Sequence, residues 1–244
     1  MTVIDDLADR PHDCDLLLDQ NFYENLESRY DGLAPSGCKK LLGPKYALLR
    51  PEFREERKNL RKRDGYVKRI MIFFGGSDPT NETTKALEAV RMLNRPDIAV
   101  DVVVGSANPN KDKINKLCAS MANVAYHCQV ENMAQLMTAA DLFIGGGGST
   151  TWERCCLELP GLIMATAMNQ EAITVGCDQA GIGIHINKSK NISPNQIQIE
   201  IEKMFLNQTA LLTMGKKSAN MVDGKGANHV ASFLTGCEKQ GATL

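Results

Sequence analysis

The chain has 244 residues, a net charge of −1 at neutral pH, 43% hydrophobic residues and 23% charged residues. This is the composition of an ordinary globular protein, and the near-zero charge gives no support for a nucleic-acid partner or an anionic membrane surface. No apolar run reaches the roughly 18 residues of a membrane-spanning helix. The N-terminus lacks the basic and then apolar pattern of a secretion signal, so we expect a cytoplasmic protein.

Residues 1–65 contain too few predicted strands for a complete domain. The segment CDLLLD (14–19) predicts one buried strand, and YALLRPEF (46–53) ends in a turn marked by proline. The run REERKNLRKRDGYVKR follows, and eight of its sixteen residues are Arg or Lys. It favours a solvated linker helix, with an anion-binding patch as the alternative. We expect residues 1–65 to be the remnant of an N-terminal domain plus a linker, which would leave Leu16 to Leu18 without a full sheet.

From residue 66 onward, short apolar stretches alternate with segments of helical spacing. Strands are predicted at 69–74, 98–104, 123–127, 141–145, 161–165 and 182–186. Helices are predicted at 80–94, 109–121, 131–140, 149–159, 169–180, 194–206 and 208–220. Near-continuous apolar strands covered by helices indicate a parallel sheet that is buried on both faces. We therefore predict that residues 66–244 form a doubly wound, Rossmann-like α/β domain.

The cysteines give no sign of a disulfide framework or a metal site. There are eight, without a CxxC pair, and Cys155 and Cys156 are adjacent within a predicted helix. This placement favours buried thiols in a reducing compartment. We expect no metal and no cofactor in this chain.

Two glycine-rich turns follow predicted strands, at the strand ends where open parallel sheets bind ligands. The first is GGSDPTN, which starts at Gly75, and the second is GGGGSTTWE, which starts at Gly145. Glycine lets backbone N–H groups approach a ligand, and a following helix adds unpaired donors and the positive end of its dipole. Two such turns suit a diphosphate, with the hydroxyl groups of Ser149 and Thr150 on its oxygens.

Each of these features also has a purely structural explanation. Glycine-rich turns are often only tight connections. Thr150 and Glu153 fit a capping box, so Glu153 is either a helix cap or a ligand contact. Neither turn matches the P-loop or the dinucleotide-binding signature. The residues alone therefore predict a phosphate-binding α/β domain and no particular reaction.

Several motifs taken together resemble one enzyme family. They are GGSDPTN, ENMAQLMTAADLFIGGGGSTTWE, MNQ at 168–170 and VDGKGANHV at 222–230. In combination they look like the C-terminal half of the hydrolases of pseudaminic acid biosynthesis, which release UDP from UDP-2,4-diacetamido-2,4,6-trideoxy-β-L-altrose. Those hydrolases are similar to GT-B glycosyltransferases, including the MurG transferase of peptidoglycan synthesis. The stretches IDDLADRPHDCDLLLDQN and LLGPKYALLRPEF resemble the same family, so the resemblance covers nearly the whole chain.

The resemblance implies a nucleotide-sugar hydrolase whose C-terminal GT-B half binds UDP. The substrate-binding residues that it implies are Gly75, Gly76, Ser77, Gly148, Ser149, Thr150, Glu153, Asn169 and Gln170. The glycine turns would hold the diphosphate, and Glu153 would accept hydrogen bonds from the ribose hydroxyls. Asn169 and Gln170 would reach the sugar or the β-phosphate, with helix capping by Asn169 as the alternative. Backbone groups near 127–130 would read uracil.

The resemblance places the catalytic base outside this sequence. The family's proposed base is a histidine in a glycine-rich GxGHxxR loop, whereas His12, His127, His185 and His229 lie in no such loop. We therefore expect an N-terminally truncated chain without a catalytic residue, which binds UDP weakly and turns over little UDP-sugar. The alternatives are a GT-B glycosyltransferase and a non-catalytic UDP-sugar-binding domain. The expected partner is a UDP-sugar, with neither nucleic acid nor membrane, and the oligomeric state stays open.

Overall fold

Two parallel β-sheets lie in the part of the chain that the computed structural model describes, residues 1–186 and 192–235. The smaller sheet consists of β1 (Thr2–Ile4), β2 (Leu16–Asp19) and β3 (Lys39–Leu42) in chain order. The larger sheet consists of β4 (Arg69–Phe73), β5 (Ala99–Val104), β6 (Val124–Cys128), β7 (Leu142–Gly146), β8 (Gly161–Met164) and β9 (Ile184–His185). The six strands predicted after residue 66 are therefore all confirmed.

The order of strands in the larger sheet creates a ligand-binding crevice. The order is β6-β5-β4-β7-β8-β9, and all neighbouring strands are parallel. From β4 the chain winds outward through β5 and β6, and then returns to the other side of β4 with β7. This is the predicted doubly wound arrangement. Because the winding reverses between β4 and β7, the segments that follow these two strands meet at the switch point of the sheet.

Helices cover both faces of the larger sheet. They are α1 (Pro51–Arg57), α2 (Glu82–Leu93), α3 (Lys111–Ala119), α4 (Met133–Ala139), α5 (Thr150–Cys156), α6 (Glu171–Gln179), α7 (Pro194–Phe205) and α8 (Gln208–Met221), while α9 (Gly226–Leu234) lies elsewhere. Helices α2 to α8 confirm the seven predicted ones. On one face Ile72 packs with Leu87 of α2, and on the other Met71 and Phe143 pack with Trp152 of α5. No helix within the described ranges is long and apolar enough to cross a membrane.

The last described helix, α9, packs on the small N-terminal sheet. Its Val230 shares an apolar cluster with Leu16, Leu18 and Leu41, and Leu17 is buried on the other face of the sheet. The structure corrects the expectation that these leucines lack a full sheet, because β2 has a parallel neighbour on each side. The sequence did not predict this arrangement, because β1 has only three residues, β3 begins with two lysines, and α9 comes from the far end of the chain.

The basic run at 54–69 is helical only in its first four residues, which belong to α1, and the arginines that follow are bound within the chain. Helix α1 ends at Arg57, and the chain continues without regular structure to β4. Arg57, Arg61 and Arg63 donate to backbone carbonyls at or just beyond the C-terminal ends of α4 and α5 and near the end of α8. Such carbonyls lack intrahelical partners and carry the negative end of the helix dipole. Burial lowers the pKa of Arg63 to about 10.

Arg63→Met should therefore destabilise the protein, although it removes a charge from a nominally basic linker. We expect the free energy of unfolding to fall by about 2–3 kcal/mol, because the carbonyls of Met137 and Leu157 lose a charged donor. Urea unfolding followed by circular dichroism measures the change. The matched control is Lys62→Met, which removes an exposed neighbouring charge. Equal unfolding midpoints for the two variants would show that the Arg63 contacts contribute nothing.

Candidate functional site

A cavity of about 460 Å³ opens at the switch point between β4 and β7. Six of the nine substrate-binding residues expected from the sequence line it: Gly75, Gly148, Ser149, Thr150, Asn169 and Gln170. The other three, Gly76, Ser77 and Glu153, lie outside its lining. Strands β4, β7 and β8 bring these segments together, because the carboxyl ends of parallel strands meet at one edge of a sheet. The structure thus gathers most of the predicted site around one space.

The four glycines at the end of β7, residues 145–148, divide into two pairs. A Cβ on Gly145 would lie 2.1 Å from the carbonyl oxygen of Phe73, and a Cβ on Gly147 would lie 2.0 Å from a methyl carbon of α6. Close contact with β4 therefore excludes a Cβ at Gly145, and close contact with α6 excludes one at Gly147. Gly146 and Gly148 line the cavity instead, and a Cβ on Gly146 would have no neighbour nearer than 3.7 Å. Of these four glycines, Gly146 and Gly148 are the two whose backbone faces the space where a ligand would bind.

The turn after β4 serves mostly structural purposes. Asp78 is buried, and its carboxylate accepts two hydrogen bonds of 2.9 Å from backbone N–H groups of the first turn of α2. The N-terminus of that helix is therefore already occupied by an anion of the chain itself, which corrects the expectation of free donors there. Gly76 packs so closely that a Cβ on Gly105 would lie 2.2 Å from its carbonyl oxygen. Of the three residues predicted in this turn, Gly75 alone lines the cavity.

Glu153 does not cap its helix. Helix α5 has Ser149 at its N-cap position and no side-chain hydrogen bond there. The Oε1 atom of Glu153 lies 3.9 Å from Nη2 of Arg50, which also contacts Glu52 at 2.8 Å. The Glu153 side chain is 17% exposed, and burial raises its pKa to about 7, with Arg50 opposing and Glu52 reinforcing the shift. A buried carboxylate with a raised pKa beside a crevice is typical of a functional group.

Three amide side chains that line the cavity have their oxygen atoms already engaged. The Oε1 atom of Gln170 accepts two bonds of 3.0 Å from Thr166, and that of Gln20 accepts one of 2.8 Å from a backbone N–H. The Oδ1 atom of Asn21 accepts from Nε1 of the buried Trp152 at 3.1 Å. An amide whose oxygen is engaged still has two N–H donors. These side chains therefore offer the cavity donors for anionic or carbonyl oxygens.

Asn169 does not act as a helix cap. Helix α6 has Gln170 at its N-cap position, and the Nδ2 atom of Asn169 donates instead to Oδ2 of Asp6 at 3.2 Å. Asp6 belongs to the wall of the cavity that the N-terminal sheet contributes, together with Gln20 and Asn21. Sequence reasoning missed this wall. Its signal was the placement of polar residues directly after β1 and β2, in IDD and LLLDQN.

None of the histidines in the described ranges lines the cavity. His127 on β6 lies 2.8 Å from the buried Asp101 of β5, which also accepts from Arg69 of β4 at 2.7 Å. His12 lies 3.4 Å from Asp5, and His229 packs edge-on against Tyr46. The backbone at 127–130, expected to read uracil, is not part of this lining either.

Cys237, the eighth cysteine, lies outside the described residues.

Comparison with known proteins relates the chain to enzymes and proteins of sugar metabolism. The family profile of the glycosyltransferase family 28 C-terminal domain matches residues 70–230. The spore coat polysaccharide biosynthesis protein SpsG of Bacillus subtilis is 26% identical over 196 residues, which are 79% of this chain and 57% of that protein. The UDP-2,4-diacetamido-2,4,6-trideoxy-β-L-altropyranose hydrolase of Campylobacter jejuni is 32% identical over 163 residues, 67% of this chain and 57% of the hydrolase. The chain thus spans a little over half the length of these relatives.

A solved structure confirms the fold class. The crystal structure of MurG from Acinetobacter baumannii superposes with a TM-score of 0.63 at 16% identity, over 91% of this chain and 66% of that one. At such low identity the likeness concerns the fold alone. The larger sheet and its helices are therefore a Rossmann-like C-terminal half of a GT-B fold, as the sequence motifs led us to expect.

Proposed function

Because the chain belongs to the family of the glycosyltransferase family 28 C-terminal domain, we propose that it binds a UDP-sugar in the switch-point cavity and takes part in releasing UDP. The more specific proposal is a hydrolase of pseudaminic acid biosynthesis, acting on UDP-2,4-diacetamido-2,4,6-trideoxy-altrose. Water would attack the anomeric carbon with inversion, and UDP would leave. The combined motifs and the 32% identity to the Campylobacter hydrolase support this reading.

The set of donors around the cavity is the observation that carries the proposal. Gly148 offers backbone, Ser149 and Thr150 offer hydroxyl groups, and Gln170 offers amide N–H groups. Neither Lys nor Arg occurs in the described lining. Preoriented neutral dipoles stabilise charge that collects on a leaving group, because they need no reorganisation during the reaction. A departing diphosphate is a group that such a set of donors would stabilise.

We propose that the two parts of the chain have different roles in the site. Residues 66–244 would be the UDP-binding domain, with Gly75 beside the diphosphate, Glu153 on the ribose hydroxyls, and Asn169 and Gln170 toward the sugar or β-phosphate. Gly76 and Ser77 would act indirectly, by shaping the turn after β4. Residues 1–65 would supply the remaining wall of the cavity.

A glycosyltransferase is the second candidate, because the family profile is that of a glycosyltransferase domain. Such an enzyme would use the same cavity but pass the sugar to an acceptor. Release of free sugar in water without any acceptor would favour the hydrolase. UDP release that requires an added alcohol acceptor would favour the transferase. Binding without turnover under both conditions would fit a non-catalytic UDP-sugar-binding domain and equally the expected chain without the catalytic base.

Titration calorimetry with UDP tests the site itself. We expect the chain to bind UDP and Glu153→Ala to weaken binding at least about tenfold, since charge-assisted bonds to the ribose would be lost. Glu55→Ala is the control, because it removes an exposed carboxylate of α1 that pairs with Lys58 and contacts neither Arg50 nor Glu153, and it should leave UDP binding unchanged. Equal affinities in the native chain and Glu153→Ala would remove Glu153 from the site. A folded native chain that binds no UDP would refute the proposed function.

A further inference from the structure

The wall that the N-terminal sheet contributes to the cavity carries a carboxylate with spare capacity to accept hydrogen bonds. Asp5 and Asp6 follow β1 and both line the cavity. The buried Asp5 is internally satisfied, because its Oδ2 accepts from the backbone N–H of Ala8 at 2.8 Å and from the hydroxyl of Tyr30 at 3.0 Å. Asp6 is half-buried, and its Oδ2 accepts from Asn169 at 3.2 Å. A carboxylate has about four acceptor positions, so Asp6 can accept further hydrogen bonds.

Hydrogen bonds to its main-chain carbonyl hold Asp6 in place. The guanidinium of Arg29 stacks on the ring of Tyr23, 3.5 Å from its centroid. Arg29 and Tyr23 both donate to the carbonyl oxygen of Asp6 at 2.9 Å. Arg29 also pairs with the buried carboxylate of Asp19 at 3.2 Å. These contacts fix the backbone at Asp6, and no ion pair within residues 1–186 and 192–235 involves its carboxylate, an arrangement typical of a supported binding residue.

The chemistry of a carboxylate decides what it can recognise here. It accepts hydrogen bonds, and it repels a diphosphate. The glycosyl group of a nucleotide sugar presents hydroxyl and amide N–H donors, which a carboxylate binds through charge-assisted hydrogen bonds. Donor groups such as Ser149, Thr150 and Gln170 line the other part of the cavity. Amide donors of Gln20 and Asn21 share the N-terminal wall with Asp6, so donors line both walls, and Asp6 adds an acceptor that suits a neutral donor of the ligand.

We propose that Asp6, together with Asn169, forms the sugar subsite of this cavity and recognises the glycosyl group through its O–H or N–H donors. This inference rests on the proposed binding of a UDP-sugar. Asp6 is then a positioning residue, whose contribution is selective for the sugar and absent from the binding of UDP alone.

Calorimetric titration with two ligands, UDP and UDP-N-acetylglucosamine, tests the inference on the native chain and Asp6→Asn. The second ligand presents both hydroxyl and acetamido N–H donors. We expect Asp6→Asn to raise the Kd for UDP-N-acetylglucosamine, and either to leave the Kd for UDP unchanged or to lower it. The Kd for UDP-N-acetylglucosamine divided by the Kd for UDP should therefore rise about tenfold. Asp9→Asn is the matched control, since it removes the same charge from an exposed neighbour outside the cavity and should leave the ratio unchanged.

The ratio separates a sugar contact from a merely structural role. If Asp6→Asn weakens the binding of both ligands equally, or of neither, the sugar subsite is disproved while the UDP site stands. If the native chain binds neither ligand, the proposed function fails and the subsite with it. The exposed Asn169 provides a second variant should Asp6→Asn not fold. Asn169→Ala is expected to raise the same ratio severalfold, and an unchanged ratio in that variant also counts against the subsite.

Discussion

Glu153→Gln is expected to stabilise the protein at pH 8 and to have little effect at pH 5. The pKa of Glu153 is raised from 4.5 to about 7 by burial. Below pH 4.5 the carboxyl is neutral in both the folded and the unfolded chain. Between pH 4.5 and about 7 the unfolded chain ionises while the folded chain stays protonated, so the native protein loses stability over this window. A neutral glutamine is free of this loss and should gain about 2–3 kcal/mol at pH 8.

Urea unfolding at the two pH values measures this difference. Glu131→Gln is the control, because it removes the same charge from an exposed loop position and should show no pH-dependent gain. A gain in Glu153→Gln of equal size at both pH values, or a loss at pH 8, would contradict the raised pKa. A carboxylate that lowers the stability of its own fold at neutral pH is typical of a binding site. The same variant should therefore become more stable while binding UDP less well.

Gly145→Ala and Gly146→Ala are expected to behave in opposite ways, although the two glycines are adjacent. A Cβ at Gly145 would collide with the carbonyl oxygen of Phe73, its partner in the β4–β7 pair, at 2.1 Å. Backbone cannot yield there without breaking the centre of the sheet, so we expect a loss of about 3 kcal/mol or more, or no folded protein. A Cβ at Gly146 would meet only ordinary contacts and would enter the cavity.

Gly146→Ala should therefore unfold at nearly the native temperature and bind UDP about tenfold more weakly, because its methyl group takes space beside the diphosphate. Thermal unfolding and UDP calorimetry on both variants measure the two effects separately. Native-like UDP binding by Gly146→Ala would mean that the end of β7 is only a connection. A fully stable Gly145→Ala would contradict the close β4–β7 packing.

The strands and helices after residue 66 were predicted correctly because their sequence signals are local. A strand such as β7 is recognisable from a short apolar run, and a helix such as α7 from its helical spacing. Elements of the N-terminal part were harder to recognise. Strand β1 is too short to show alternation, and the cation-rich run at 54–69 has the composition of a solvated segment. Its arginines are instead bound by carbonyls about 75 to 160 residues away.

The sequence by itself determined the α/β class, the strands and helices of the larger sheet, the family resemblance and the two glycine-rich turns. Periodicity and turn chemistry act within a few residues, so they can be read without coordinates. Only the tertiary structure decided which glycines face a ligand, because close contact between strands and helices singles out Gly145 and Gly147. The other cavity wall was likewise hidden, since Asp6 and Asn169 are 163 residues apart and meet only when both sheets have formed.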